Sequence, residues 1–288
     1  MFIKDIFNEK KNVLSFEIFP PKQVSSIESV TSAVDEMVKL PIDYISVTYG
    51  AGGSTSKKTA DIAEYIIKEK NQTALAHLTC LTSNKDDIHS TLEDLKARGI
   101  KNILALRGDR PADNSMPVST DYKYASELVK EIKDFGGFSV GGACYPECHP
   151  DCDSLSNDIT NLKNKVDMGC DFLVTQMFFD NDKFYNFRDM AVKKGINKPI
   201  TAGIMPLTNA KQIERMVILS GGASMPSRFL KMYSKYSDND AALKQAGIAY
   251  AVEQIIDLLS NDVDGIHIYT MNKPEIAEKI VSVVNNLF

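Results

Sequence analysis

Eight times along this chain a short apolar, β-forming run is followed by a charged segment with helical spacing, and few folds accept that rhythm. The runs are "VLSFEIF", "YISVTYG", "TALAHLTC", "NILALRGD", "FSVGGACYP", "FLVTQMFFD", "PITAGIMPL" and "GIHIYTMN". Segments such as "SSIESVTSAVDEMVKL", "NKDDIHSTLEDLKARG" and "LSNDITNLKNKVDMG" separate them, with polar caps before and glycine after two of them. Strands that are apolar almost throughout belong to a parallel sheet covered on its faces, and eight of them predict closure as a single (β/α)8 TIM barrel. Residues 208–259 are longer than one crossover needs, so extra helices are expected before the eighth strand. A doubly wound open sheet is the structural alternative, and the absence of a G-x-G-x-x-G after the first run weakens it. At 288 residues the chain matches one barrel, so residues 1–288 are expected to form a single catalytic domain.

The balance of 33 Lys and Arg against 38 Asp and Glu gives a net charge of −5, which argues against a nucleic-acid footprint and favours small-molecule partners. The start, "MFIKDIFNEKK", lacks an apolar signal core, and nowhere do about 18 apolar residues run together, so no membrane partner and a cytoplasmic location are expected. Five cysteines in such a chain read as reduced thiols. Cys144, Cys148 and Cys152 are spaced by four, but the spacing fits no zinc or iron–sulfur pattern, and no metal site is expected.

Active sites of such barrels lie at the C-terminal ends of the strands. Glu17, Thr48, His77, Asp109, Tyr145, Gln176 and Tyr269 each come late in a different run. Singly, each has a bland explanation as a solvated or hydrogen-bonded structural residue. Together, seven polar groups around one mouth need one another or a ligand to satisfy them. In the helix after the fifth run, Asp158, Asn161 and Lys165 form a polar stripe beside a core stripe of Leu155, Ile159, Leu162 and Val166. Spacing alone favours a solvated face for the polar stripe. The glycines of "YGAGGST" lead into a helix and offer a weak phosphate-cradle signal.

The ordered set "FEIFPPK", "VTYGAGGST", "HLTC", "ALRGD", "YPECHP", "QMFFD", "GIMP" and "YTMNK" closely resembles the bacterial methylenetetrahydrofolate reductases from Val13 to about Lys273. The resemblance implies a flavin-containing barrel that reduces 5,10-methylenetetrahydrofolate to 5-methyltetrahydrofolate, with NADH or NADPH as donor and non-covalent FAD as carrier. It assigns Glu17 as the acid and Asp109 as a catalytic residue beside the flavin and the pterin. FAD contacts then fall on Thr48, Tyr49, Ala51, His77, Arg107, Gly108, Asp109, Ala125, Tyr145, His149, Cys152, Asp158, Asn161 and Lys165. Asp109, Gln176, Gln212, Tyr269 and Lys273 fall where the family holds folate. Asn164 and Lys273 stand where the family often has arginine, and a lysine point charge does not replace an arginine fork. The resemblance is to the short bacterial enzymes without a regulatory C-terminal domain, commonly homo-oligomers.

The implied chemistry suits these residues, because the methylene bridge reacts only after a proton reaches its departing nitrogen, a general-acid task. Alternatives are a pterin-binding methyltransferase barrel, a Schiff-base aldolase, for which no strand-end lysine is evident, and a flavin-bearing subunit served by a redox partner protein.

Overall fold

A computed structural model of the chain describes residues 1–21, 27–49, 56–109, 118–213 and 224–288. Eight parallel strands close in sequential order, with β8 returning to β1. They are β1 (Val13–Ile18), β2 (Tyr44–Val47), β3 (Thr73–Thr79), β4 (Asn102–Leu106), β5 (Ser139–Cys144), β6 (Phe172–Thr175), β7 (Ile200–Ile204) and β8 (Gly265–Tyr269). Each of the eight apolar runs therefore supplies one strand.

Helices α2 (Ile27–Met37), α3 (Ser56–Lys68), α4 (Lys85–Ala97), α5 (Ala125–Phe135), α6 (Leu155–Asp167) and α7 (Asn181–Lys193) follow β1 to β6. The expected additional helices before β8 are α8 (Ser227–Tyr236) and α9 (Asp240–Ser260), and α10 (Pro274–Val284) follows β8. Outward strand residues such as Leu14, Phe16, Ile45, Ile103, Leu173 and Ile266 pack against the helices in one continuous core. In α6 the predicted core stripe holds, with Ile159, Leu162 and Val166 buried.

Inside the barrel the layers change character from bottom to top. A short helix, α1 (Ile3–Glu9), closes the N-terminal end by packing Ile3 and Ile6 onto Val13, Tyr44, Leu75, Leu104 and Phe172. Asn102 ties it in place, accepting from the Ile3 backbone N–H at 2.7 Å and donating to the Ala74 carbonyl at 3.0 Å. Three aspartates just before strands hold neighbouring strand starts. Asp43, Asp171 and Asp264 accept from the backbone N–H of Leu14, Val140 and Ile200 at 2.7, 2.8 and 2.8 Å. These bonds fix register at the bottom, so side chains higher in the lumen arrive at defined heights. A second apolar cluster, including Met177, Phe179, Met205, Leu207, Phe229 and Leu243, joins the added helices to the top of the barrel beside Tyr269.

Candidate active site

Glu17 points into the lumen near the end of β1, in register with Ser46 of β2 and Tyr269 of β8, and is only 6% exposed. Its Oε2 lies 3.5 Å from His77 Nε2 and 3.4 Å from His267 Nε2. Each imidazole has a serine: Ser46 Oγ is 2.7 Å from His77 Nε2, and Ser15 Oγ is 2.7 Å from His267 Nδ1. Burial pushes the His77 pKa down to about 4, with Glu17 opposing and His267 reinforcing the shift. His77 is therefore neutral at ordinary pH. With Glu17 ionised, a proton on His267 Nε2 faces the carboxylate and Ser15 donates to Nδ1. With Glu17 protonated, the donor and acceptor roles along this chain reverse.

Tyr269 closes the cluster from above. Its hydroxyl donates to the Thr175 carbonyl at 2.7 Å, so the ring spans the lumen from β8 across β7. Gly203 makes that crossing possible, since a Cβ there would meet the Thr175 carbonyl oxygen at 2.5 Å and the Tyr269 ring at 2.8 Å. Burial raises the Tyr269 pKa well above its ordinary value, and Glu17 adds to the effect, so the phenol keeps its proton. The Glu17 carbonyl accepts from Thr270 Oγ1 at 2.7 Å, and the Asn272 side chain both accepts from the Phe19 N–H and donates to the Phe19 carbonyl at 2.8 Å. The β8 end thus grips the β1 end where "FPP" leaves the barrel.

A polar rim follows between β4, β5 and α6. Arg107 reaches Asp151 at 2.8 Å, and Gly108 turns the chain with φ +87°. Asp109 is exposed just beyond this turn. The Tyr145 and His149 rings meet edge-on at 4.7 Å. Asp158 Oδ2 accepts from the His149 backbone N–H at 2.9 Å, Asn161 Nδ2 approaches Cys152 Sγ at 3.9 Å, and Lys165 Nζ donates to the Ala143 carbonyl at 2.5 Å. Burial raises the Tyr145 pKa to about 12 and also raises that of Asp158. It lowers that of His149, helped by Arg107. The polar stripe of α6 therefore meets the β5 loop, and its Asp158 and Lys165 are not free in solvent.

This whole arrangement falls within one sequence signature: the profile of the family described as methylenetetrahydrofolate reductase matches residues 2–285. The chain belongs to the methylenetetrahydrofolate reductase family. Among its relatives, the 5,10-methylenetetrahydrofolate reductase of Escherichia coli is 33% identical over 93% of this chain and 88% of its own length. That of Buchnera aphidicola is 33% identical over 98% and 97%. Methylenetetrahydrofolate reductase (NADH) 1 of Arabidopsis thaliana is 35% identical over 94% of this chain, which spans about half, 48%, of the plant protein. A solved structure described as an uncharacterized protein from Clostridium thermocellum that binds two copies of 5-methyl-5,6,7,8-tetrahydrofolic acid shares the fold, with a TM-score of 0.71, 15% identity and coverage of 100% and 99%.

In this reductase, Glu17, His77 and Tyr269 converge in the lumen, while Thr48, Asp109, Tyr145 and Gln176 sit just past their strand ends. Thr48 is engaged through its carbonyl, which accepts from Thr59 Oγ1 at 2.9 Å, and Ala125 opens α5. Gln176 turns back to accept from the Met177 N–H at 2.9 Å. Gln212 likewise folds onto its own loop, accepting from the Thr208 N–H at 3.1 Å. Lys273 caps α10 without a side-chain capping bond, and Tyr49 packs against the outer core. Ala51 and the remaining glycines of "YGAGGST" lie outside the described residues. Sequence reasoning missed His267, Ser15, Ser46 and Asn272. The first three were detectable by following the two-residue alternation one step down from Tyr269, Glu17 and Thr48. Among the described residues no group of three or more His, Cys, Asp or Glu side chains is arranged to hold a metal ion, and no helix is long and apolar enough to cross a membrane.

Proposed function

We propose that this chain reduces 5,10-methylenetetrahydrofolate to 5-methyltetrahydrofolate, with electrons from NADH or NADPH carried by non-covalently bound FAD. The observation that carries the reading is a buried carboxyl, Glu17, bonded to His267 and flanked by the neutral His77 at the mouth of a barrel of this family. NADH is the favoured donor because plant relatives are named for it.

The rim suits FAD by the chemistry of its donors. Arg107, Lys165 and the His149 ring supply cationic and hydrogen-bonding groups for a pyrophosphate, and Asp158 and Asn161 supply polar partners on the adjoining helix. A side chain at Gly108 would crowd Thr79, with its Cβ at 3.1 Å, so glycine keeps this approach low. Thr48, Tyr49, Ala51, His77, Ala125, Tyr145 and Cys152 complete the proposed cofactor set. FAD bound at this rim would supply two-electron hydride-transfer chemistry between the nicotinamide and the one-carbon unit of folate.

The chain's own residues do the rest. Glu17 delivers a proton to the departing nitrogen of the methylene bridge, opening the ring to the reactive iminium. The His267–Ser15 pair orients the carboxyl and lets it change protonation state without losing its hydrogen-bond partner, while neutral His77 packs beside it. Asp109 accepts a hydrogen bond from the pterin, and Gln176, Gln212, Tyr269 and Lys273 position the folate. Gln176 and Gln212 must exchange their present local bonds to do so.

Anaerobic mixing of FAD-reconstituted protein with NADH or NADPH, and then with methylenetetrahydrofolate, tests the proposal. Flavin absorbance should bleach with the nicotinamide and return with the folate. A colourless protein that takes up no FAD, or a reduced flavin that folate does not reoxidise, would overturn it.

A further inference from the structure

Two cysteines stand in the loop that carries the proposed cofactor rim: Cys152, one of the proposed FAD contacts, and Cys148, which has no role above. Cys148 and Cys152 lie one turn apart in the loop between β5 and α6, and the Cys152 N–H donates to the His149 carbonyl at 2.9 Å to close that turn. The Cys148 thiol turns towards Cys152, its Sγ lying 3.5 Å from the Cys152 carbonyl. Both are partly open to solvent, whereas Cys80, Cys144 and Cys170 are buried. Cys148 also adopts φ +91°, a left-handed conformation that favours glycine and disfavours any other side chain. A thiol placed there at conformational cost, one turn from a second accessible thiol and facing its backbone, is within reach of a short-loop disulfide.

We propose that Cys148 and Cys152 form a reversible dithiol–disulfide pair that responds to hydroperoxides and, on oxidation, loosens the cofactor. The Cys152 thiolate attacks one oxygen of hydrogen peroxide. The O–O bond breaks, and the leaving hydroxide takes up the thiol's proton to give water and a sulfenic acid. The Cys148 sulfur then attacks the Cys152 sulfur, the S–OH bond breaks, and the displaced hydroxide leaves as a second water with the Cys148 proton. Two thiols lose two electrons and one peroxide becomes two waters. Closure pulls Cys152 Sγ out of its contact with Asn161 and pins the turn carrying His149, whose N–H binds Asp158. The effect on the cofactor rests on the FAD site proposed above; formation of the bond does not.

The full chain, reduced and then treated with hydrogen peroxide, is alkylated, digested without reductant and mapped by mass spectrometry. The expected product is a peptide containing Cys148 and Cys152, unalkylated, lighter by two hydrogens and restored by dithiothreitol. Full alkylation of both cysteines, sulfinic acid at either, or crosslinks only between chains would overturn the proposal. FAD titration of the same samples should show about tenfold weaker binding after oxidation, the size of one lost hydrogen-bonded contact. Cys148→Gly, which also relieves the left-handed conformation, should keep its FAD affinity under peroxide. A disulfide that leaves FAD affinity unchanged would refute the regulatory link. A protein that forms the disulfide yet binds no FAD in either state would refute the cofactor site instead.

Discussion

At the scale of single residues, the consequential choice is to flank one buried carboxyl with two histidines and, among the described residues, no lysine or arginine. A cation in contact would lock Glu17 as a permanent carboxylate, while imidazoles can stand on either side of a proton transfer. The same burial gives His77 a measurable signature. Its folded pKa of about 4 lies below the ordinary histidine value of 6.5, so between these values the unfolded chain binds a proton that the folded chain does not. Stability should therefore be fully present above pH 6.5 and fall as pH drops towards 4, by roughly 3 kcal/mol at most from this group. Chemical denaturation across that range should show the loss in the parent and a flatter profile in His77→Gln. Equal slopes would mean that His77 is charged when folded. The late-strand polar residues were legible because a barrel dictates where its mouth lies. His267 was not, because the strand-end rule stops one layer too high, and Ser15 and Ser46 look like ordinary small strand residues.

Elements carry the site through their ends. The β8 turn places Met271 and Asn272 both in the left-handed region, at φ 54° and 57°, and uses the second to bind both backbone groups of Phe19. Asn272→Ala loses both bonds and puts alanine in a conformation it disfavours, at a cost of about 1–3 kcal/mol. Asn272→Gly loses only the bonds, so it should be the more stable of the two by about 1 kcal/mol. Both should slow folate reduction about tenfold more than flavin reduction by NADH, because the Glu17 strand end is what they release. Equal slowing of the two half-reactions would make Asn272 merely structural. The strands themselves were readable because burial on both faces writes them as apolar runs. Helix α1 was not, since its seven residues show too little periodicity and Phe2 offers no side-chain cap. Spacing presents the polar stripe of α6 as a solvated face, and only the way the preceding loop folds back onto the helix shows what Asp158 and Asn161 meet.

For the whole molecule, the eightfold rhythm of the sequence was enough to predict a closed barrel with added helices before β8, because no other common architecture covers eight parallel strands so evenly. The lumen layers were less legible, since they depend on register between strands far apart in sequence. Apolar residues and α1 close the bottom, Glu17 and its histidines occupy the top, and the proposed cofactor rim stands to one side on β4, β5 and α6. On the proposed reading His77 joins the two, and the proton-delivery part can be cut at one atom. Glu17→Gln keeps the shape and the hydrogen-bond partners of the carboxyl but has no proton to release. On FAD-replete protein, the two half-reactions followed separately by anaerobic stopped flow should diverge. Flavin reduction by NADH should stay within about threefold of the parent, while reoxidation by methylenetetrahydrofolate falls by ~10²–10⁴. Comparable losses in both half-reactions, or no loss in either, would contradict the assignment of Glu17 as the acid.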